Sequence, residues 1–373
     1  MTDRLEYLIA EAKAGLRHFY GGQPDAVSAA PGRVNLMGDH VDYAGGPCLP
    51  VAIDRHTVVA IRANGTNTMR VRSANEDRAV RVPISNSGDF TGGLPGWEQY
   101  IRGVLHQFAA THKVILPGFF AYIASDIPVG MGLASSASLE VAFYTALEGL
   151  MGVNTDSMVK VKDCIKAEHD FAGVPCGIMD QMSAVYSAPN YATHIDCSTE
   201  EFTPVALPDD LAIIVGCTNV KHNLAQSEYS SLRGMATSKD EVDGLRFIPT
   251  EETMRVRQHV AFESDLVGEV VDALTPCDPV ALGIALHASH KSLKGIGVSC
   301  RELDEMVNAQ RALEGSYGGR MQGGGFGGST VTLAKGDRAA DVIAAMTVRY
   351  RDIVGDNFDI FLTKTVGGAK LWT

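Results

Sequence analysis

Hydrophobic and polar residues follow two different periods along the first hundred residues of the chain. Between Leu5 and Phe19 apolar side chains recur every three or four positions, which predicts an amphipathic opening helix. A helix is also predicted from Trp97, whose ring either packs in the core or rim or offers a stacking surface to a base. Between these helices, short apolar or alternating runs predict a meander of strands, at residues 49–53, 57–61, 69–71 and 80–82.

The same two periods divide the rest of the chain. The apolar run Phe119–Ala124 predicts a buried strand that leads into a helix ending near Gly152, and residues 156–172 predict another helix. Asp180 lies near the start of a third helix, where the dipole favours an ionised carboxylate. Taken by itself, this position indicates helix capping. Helical patterns dominate up to about residue 313, and further strands are predicted at residues 193–197, 211–215 and 329–333.

The segment 200–210 contains two prolines, Pro204 and Pro208, and is predicted to be the passage into a second domain. A chain of 373 residues with 45% hydrophobic residues can bury a large core and is long enough for two domains. We therefore expect an α+β protein with domains at residues 1–200 and 201–373.

Composition narrows the function classes. The net charge of −12 argues against a general nucleic-acid surface, which would need clustered basic residues. No apolar run approaches the 18 residues of a membrane span, and we expect no secretory signal peptide in Met1–Arg4. The seven cysteines are scattered and never form a Cys-x-x-Cys pair, so we expect reduced thiols in a cytoplasmic protein without a zinc site.

The glycine-rich stretch Pro128–Ser138 is the first candidate for chemistry. Gly130 and Gly132 let the backbone turn and approach a ligand closely, and Ser135 and Ser136 are predicted to cap the following helix. Free N–H groups and the positive end of a helix dipole make such a loop an anion site, so phosphate binding is one interpretation. A plain turn and cap is the other. The stretch is not the usual P-loop, since no Gly-Lys-Ser/Thr follows it.

Two further stretches are too rich in glycine and charge for ordinary elements. Arg33, Asp39, His40 and Asp42 lie within ten residues of one another in a glycine-bounded segment, which favours a functional loop over a salt-bridged surface loop. The run from Arg320 to Gly328 contains several glycines, each of which would cost about 1 kcal/mol in a regular element, so it is not core filling.

Three segments together resemble the three motifs of the GHMP small-molecule kinases. They read Gly-Arg-Val-Asn-Leu-Met-Gly-Asp-His-Val-Asp-Tyr at 32–43, Pro-Val-Gly-Met-Gly-Leu-Ala-Ser-Ser-Ala-Ser at 128–138 and Met-Gln-Gly-Gly-Gly-Phe-Gly-Gly at 321–328. The first is similar to the galactokinase signature, and further landmarks such as Cys176–Gln181 fall in family order along nearly the whole chain. The resemblance implies a two-domain fold, with an N-terminal α/β domain of the ribosomal protein S5 domain 2-like type and a C-terminal ferredoxin-like domain.

The resemblance also implies an activity, which is the ATP- and Mg²⁺-dependent phosphorylation of the C1 hydroxyl of galactose in a cleft between the domains. It implies catalytic roles for Arg33 and Asp180, and a magnesium site at Ser135 and Glu168. The sugar would contact Asp39, His40, Asp42, Gly177 and Tyr229. The nucleotide would contact Trp97, Pro128, Gly130, Gly132, Leu133, Ser135, Ser136 and Ser138. A sugar and ATP are then the expected partners, and we expect no nucleic acid, membrane or obligate protein partner.

Several positions depart from the family pattern. Asp39 replaces the usual glutamate, which in the family reaches the C6 hydroxyl of galactose. Ala44 stands where the family usually has asparagine, Ala134 where it has serine and Gln322 where it has threonine. We expect galactose to be preferred over galacturonate, because the Asp39 charge would repel a C6 carboxylate. Kinases for galacturonate, N-acetylgalactosamine or arabinose are the alternatives, as is a catalytically silent regulator that binds sugar and ATP.

Overall fold

The computed structural model describes residues 4–84, 96–220, 225–237, 241–242, 245–246 and 249–372. Within these ranges the helices are α1 (Arg4–Tyr20), α2 (Glu98–His112), α3 (Ser135–Met151), α4 (Ser157–Ala167), α5 (Met179–Tyr186), α6 (Ala225–Thr237), α7 (Glu251–Leu274), α8 (Pro279–Gly295), α9 (Arg301–Ala309) and α10 (Ala339–Val354). The strands are β1 (Ala26–Asn35), β2 (Pro47–Cys48), β3 (Pro50–Ala63), β4 (Thr68–Ser73), β5 (Glu76–Pro83), β6 (Phe119–Ser125), β7 (Tyr191–Asp196), β8 (Glu201–Ala206), β9 (Leu211–Cys217), β10 (Glu241–Val242), β11 (Leu245–Arg246), β12 (Ser316–Gln322), β13 (Ser329–Lys335), β14 (Asp359–Thr363) and β15 (Lys370–Trp372).

Two large sheets, a three-stranded sheet and the two-stranded pair of β10 and β11 organise these strands. The first has six strands in the order β15-β1-β3-β6-β4-β5, and within it the β4–β6 pair is parallel. The second has four antiparallel strands in the order β12-β13-β9-β14, and β2, β7 and β8 form a three-stranded sheet. Helices and mostly antiparallel sheets are combined in one chain, so the α+β prediction is confirmed.

Helices cover both faces of the six-stranded sheet. The apolar stripe of α1, with Leu8 and Leu16, packs against one face beside Tyr122 of β6. On the other face α2 and α3 bury aromatic side chains, including Phe108 and Phe143, against the strands. The opening helix predicted from the spacing of apolar residues is therefore present. Leu8, Ala12 and Leu16 of its predicted stripe are buried, whereas Phe19 at its end is 45% exposed.

A second apolar core joins the two large sheets. It contains Leu36 and Leu49 next to the first sheet and Val215 and Val331 on the four-stranded sheet, and helices α7 and α8 contribute to it. The segment after β1 therefore lies between the sheets, where it is held on both sides.

Two details differ from the predicted pattern. The strands predicted at 49–53 and 57–61 are one continuous strand, β3, although polar residues separate them. Arg55 is accommodated there because its guanidinium lies 4.2 Å above the ring of Phe361, and Asp54 accepts a hydrogen bond from Thr363 at 2.8 Å. The segment 200–210 also differs, because it contains strand β8 paired with β7.

The predicted division after residue 200 stays a prediction. It falls at the turn between β7 and β8, and the last strand of the chain, β15, returns to pair with β1. Within the part of the chain that the structure describes, no helix combines the length and apolarity that a bilayer crossing requires.

Candidate active site

The three glycine-containing segments meet around one cavity of about 470 Å³. The loop after β1, the turn between β6 and α3, and the hairpin turn between β12 and β13 each contribute lining residues. The start of α5 and Tyr229 of α6 complete the wall. Segments that lie far apart in the sequence therefore form a single site.

Arg33 and Asp180 form an ion pair inside this cavity. The Nη2 atom of Arg33 lies 2.8 Å from Asp180 Oδ1, and its Nε atom donates to the same oxygen at 2.9 Å. Arg33 follows a register shift in β1, and its Nη1 atom donates to the carbonyl oxygen of Gly132. Asp180 lies in the first turn of α5, where the helix dipole favours negative charge. The guanidinium thus fixes the carboxylate beside the glycine-rich loop.

The glycine-rich loop turns sharply before α3. Gly130, Gly132 and Ala134 have φ angles of 77°, 67° and 58°, all in the left-handed region. The predicted serine cap is wrong: the N-cap residue is Ala134, no side chain caps the helix, and Ser135 and Ser136 lie in its first turn. Their hydroxyl groups are consequently free of a capping role, and both residues line the cavity.

The other predicted nucleotide residues occupy different places. Leu133 lines the cavity, and its carbonyl oxygen accepts the N–H of Arg33 at 3.1 Å. Ser138 is buried and donates to the carbonyl oxygen of Ala30 at 2.8 Å, so it fastens α3 to β1. Pro128 is not among the lining residues.

The third glycine segment (residues 321–328) and the strand after it hold the glycine-rich loop by hydrogen bonds. Gln322, where the family pattern has threonine, donates from its amide to the carbonyl oxygen of Gly132 at 3.0 Å. Ser329 donates to the carbonyl oxygen of Met131 at 2.8 Å. The β12–β13 hairpin therefore fixes the position of the glycine-rich loop through two of its carbonyl oxygens.

Glu168 lies in a π-helical turn, Glu168–Ala172, that continues α4. Single π-turns of this kind often occur at functional sites. The Oε2 atom of Glu168 accepts a hydrogen bond from Gln181 Nε2 at 2.7 Å. The same nitrogen also donates to Glu140 Oε2 at 3.0 Å. Burial and the nearby charge of Asp180 raise the pKa of Glu168 to about 7. Three carboxylates thus lie close together next to the glycine-rich loop.

Glu140 was not predicted as a site residue. It is fully buried on α3, its Oε1 atom has no hydrogen-bond partner among the described residues, and burial followed by the charge of Glu168 raises its pKa. The signal was present in the sequence, because a glutamate stands between the apolar residues Leu139 and Val141. A charged residue in the buried face of a helix is expensive unless it is paired.

Asp42, in the loop that follows β1, lies against Gly177 in the wall of the cavity. A Cβ atom built on Gly177 would lie 1.9 Å from Asp42 Oδ2, so only glycine fits beside this carboxylate. Burial, with the charge of Asp180 as the next cause, raises the pKa of Asp42 to about 7. The Asp42 carboxylate therefore lies directly against the backbone of Gly177.

His40 is a neutral hydrogen-bonding residue. Its Nε2 atom lies 3.1 Å from the carbonyl oxygen of Gly324, which only accepts, so Nε2 carries the proton. Its Nδ1 atom then accepts from the hydroxyl of Tyr43 at 3.0 Å. Burial lowers the pKa of His40 to about 4. The ring of Tyr229 lies 5.4 Å from that of His40, which gives this wall an aromatic surface.

Asp39 also lines the cavity, but its carboxylate is bonded to protein groups. Its Oδ2 atom pairs with the guanidinium of Arg320, and its Oδ1 atom accepts the N–H of Gly323 at 3.0 Å. Asp39 is only 1% exposed. Arg320 could not be predicted as its partner from the sequence, since 281 positions separate the two residues.

A second cavity of about 320 Å³ opens on the other side of the glycine-rich loop. It shares Gly130, Ser135 and Ser136 with the first cavity, and Trp97 and Tyr100 provide flat aromatic surface. Sequence reasoning missed its polar residues, which are Thr57, Ser73, Asn75, Glu76 and Ser125. A flat apolar group with polar edges fits this lining better than a sugar does.

The charges around the main cavity do not balance. Four carboxylates line it, from Asp39, Asp42, Glu168 and Asp180. Arg33 pairs with Asp180 and the buried Arg320 pairs with Asp39, which leaves Asp42 and Glu168 without an ion pair among the described residues. No cluster of three or more His, Cys, Asp or Glu residues in the described ranges forms a preassembled metal centre. A cation that enters this site would therefore take part of its ligands from another molecule.

Comparison with known proteins places the chain in context. The galactokinase galactose-binding signature matches residues 16–63, the GHMP kinases N terminal domain matches 99–188, and the GHMP kinases C terminal domain matches 272–352. The chain is 37% identical to galactokinase of Homo sapiens, covering 98% of this chain and 96% of that protein. It is 34% identical to galactokinase of Chloroflexus aurantiacus, covering 92% and 93%.

Solved structures show the same fold. Lactococcus lactis galactokinase complexed with galactose superposes with a TM-score of 0.88 at 24% identity, covering 98% of this chain and 99% of that one. Methanococcus jannaschii mevalonate kinase superposes with a TM-score of 0.69 at 15% identity, covering 91% and 98%.

Proposed function

Because the chain belongs to the galactokinase family of the GHMP kinases, we propose that it transfers the γ-phosphoryl group of ATP to the C1 hydroxyl of galactose. The observation that carries this proposal is the Arg33–Asp180 ion pair at the rim of the glycine-rich loop. It places an oriented carboxylate next to the glycine-rich loop. Phosphoryl transfer requires positioning and charge stabilisation of this kind more than covalent help from the protein.

Asp180 acts on the sugar hydroxyl. The C1 oxygen attacks the γ-phosphorus, the bond between that phosphorus and the β–γ bridging oxygen breaks, and the hydroxyl proton moves away. Asp180 either accepts this proton or orients the hydroxyl by hydrogen bonding; a loose transition state needs little basicity. In both roles Arg33 holds the Asp180 carboxylate and adds positive charge near the transferred group.

The two cavities divide the substrates. The main cavity takes the sugar between Asp39, His40, Asp42, Gly177 and Tyr229. The second cavity takes the adenosine end of ATP, with its base near Trp97. Gly130, Gly132, Leu133, Ser135 and Ser136 then face the phosphates, and Ser138 fastens the helix that follows the loop to β1.

The site also suits magnesium. Glu168 supplies a carboxylate and Ser135 a hydroxyl, which are the hard oxygen donors that magnesium prefers, and phosphate oxygens complete such sites. The carboxylates of Asp42 and Glu168, which have no ion pair among the described residues, fit a bound divalent cation. Magnesium held there would offset the charge of the phosphates.

Two broader proposals accompany this function. Residues 1–200 and 201–373 are proposed as the N-terminal and C-terminal GHMP kinase domains, with the cleft between them. The cytoplasm is proposed as the location, since the seven cysteines are free thiols.

A substrate panel tests the function. ADP release should be measured with galactose, galacturonate, N-acetylgalactosamine, arabinose and glucose, with and without Mg²⁺. We expect the highest kcat/KM for galactose and turnover that depends on magnesium. Preference for galacturonate would replace the galactose assignment, and sugar binding without ADP release would indicate a silent regulator.

A further inference from the structure

The side chain of Arg320 is wholly buried, although its charge is permanent. Its Nη2 atom pairs with Asp39 Oδ2 and lies 3.2 Å from Glu263 Oε1 on α7. Its Nη1 atom donates to the carbonyl oxygen of Leu36 at 3.2 Å. These three residues, Asp39, Glu263 and Arg320, form a buried charge network in which one cation lies between two carboxylates.

Glu263 holds the backbone of the sugar-signature loop, which is the part of the 32–43 segment that follows β1. Its Oε1 atom accepts the N–H of Gly38 at 3.1 Å and that of Asp39 at 3.3 Å. The same oxygen accepts the hydroxyl of Ser289 on α8 at 2.9 Å. His259, one turn earlier on α7, lies 3.0 Å from the carbonyl oxygen of Asp39 through its Nε2 atom. Helix α7 therefore fixes the loop at consecutive peptide groups.

The opposite side of the loop is fixed to the third glycine segment. Asp39 accepts the N–H of Gly323, and His40 contacts the carbonyl oxygen of Gly324, as described above. Both glycines line the cavity, whereas Glu263 and Arg320 do not. The network thus determines where two walls of the sugar cavity stand without presenting Glu263 or Arg320 to the cavity itself.

Stability alone is a poor reason for this arrangement. Burying charges costs several kcal/mol per ion, and apolar replacements of buried ion pairs are often neutral or stabilising. Within the described ranges, Glu263 Oε2 and Arg320 Nε also lack hydrogen-bond partners. A buried polar network that is only partly satisfied is a costly way to fill a core.

We propose that Glu263 and Arg320 are positioning residues for the sugar, which act through Asp39 and the backbone of Gly38 and Asp39. They hold the sugar-signature loop against the third glycine segment before the sugar arrives, so binding does not have to order the loop. This inference rests on the proposed function, because it assigns the ordered wall to the sugar and not to ATP.

Glu263→Gln tests the proposal, since it removes the charge while keeping the size of the side chain. We expect the KM for galactose to rise at least about tenfold and the KM for ATP to change less than about twofold. Calorimetry with galactose alone should show the same weakening. Should this variant be insoluble, Glu263→Asp carries the test, because it keeps the charge but withdraws it by about 1.5 Å.

Glu148→Gln is the matched control. Glu148 is also a buried glutamate, paired with Lys160 at 2.6 Å and bonded to the N–H of Thr155 at 3.0 Å, but it does not line the cavity. We expect it to lower the melting temperature and leave both KM values unchanged. The proposal is overturned if Glu263→Gln behaves in the same way. If wild-type protein turns over none of the panel sugars, the proposed function fails instead.

Discussion

Arg33 and Asp180, which are 147 positions apart in the sequence, share a two-point contact in which Nε and Nη2 of the arginine both approach Asp180 Oδ1. Neither of these two contacts involves Asp180 Oδ2. The buried guanidinium cannot be deprotonated, so the carboxylate keeps a fixed orientation and a fixed neighbouring charge. Such an oriented carboxylate suits the role proposed for Asp180 toward the C1 hydroxyl.

Replacing Asp180 with asparagine should remove the proton acceptor while keeping the shape of the site. We expect kcat to fall at least about 10²-fold, the lower range for a positioned acid–base group, with little change in galactose binding. Steady-state kinetics and calorimetry measure the two effects separately. Turnover at the wild-type rate would exclude Asp180 from the mechanism.

Ser135→Ala should impair the use of Mg²⁺·ATP. The hydroxyl of Ser135 lies at the boundary of the two cavities and faces the proposed phosphate position, so its loss should raise the KM for Mg²⁺·ATP. Galactose binding, measured by calorimetry, should be almost unchanged. The reverse pattern, with sugar binding lost and nucleotide binding intact, would contradict the assignment of this loop.

Gly177→Ala should displace Asp42, because the added Cβ atom would lie 1.9 Å from its Oδ2 atom. We expect a higher KM for galactose with an almost unchanged KM for ATP. Gly268→Ala on α7 is the matched control, since its Cβ atom would have no neighbour within 4 Å. That control should be neutral or slightly stabilising in a helix. Equal kinetics of the two variants would show that Asp42 does not contact the sugar.

The raised pKa of Asp42 predicts how stability depends on pH. Between its ordinary value of 3.8 and its folded value of about 7, the unfolded chain ionises while the folded protein keeps the proton. The free energy of unfolding of the ligand-free protein therefore falls as pH rises through this window. Asp42→Asn removes this loss, so its gain in melting temperature over wild type should be larger at pH 8 than at pH 5.

Asp196→Asn provides a control of opposite sign. Hydrogen bonds from Ser198 and Thr199 lower the pKa of the exposed Asp196, so its stabilising effect is present above its ordinary pKa and disappears as pH falls through the lowered value. This variant should lose more stability at pH 8 than near pH 3. If Asp42→Asn showed a gain that did not depend on pH, Asp42 would not titrate as described.

Local sequence features predicted much of the fold because they depend on neighbouring residues. The spacing of apolar residues identified α1 and β6, and the glycines located the turns that bring the three motifs together. The helix start at Ala134 was missed because a left-handed alanine has no sequence signal, whereas serine usually indicates a cap.

Contacts between distant residues could not be predicted in this way. Asp39 was expected to face the sugar on the strength of the family pattern, but its partner Arg320 lies on β12, just before the third motif. The Glu140–Gln181–Glu168 cluster likewise depends on how α3, α5 and the π-turn pack together. Only the folded chain shows which charges share a buried space.

The identity of the product is the sharpest test of the proposed phosphoryl transfer to the C1 hydroxyl of galactose. Wild-type protein should be incubated with galactose and Mg²⁺·ATP, and the phosphorylated sugar examined by ³¹P and ¹H NMR, with Asp180→Asn as the paired sample. We expect a phosphate coupled to the anomeric proton in the wild-type sample and almost no product in the variant. Phosphate on any other hydroxyl, or equal product from both proteins, would contradict it.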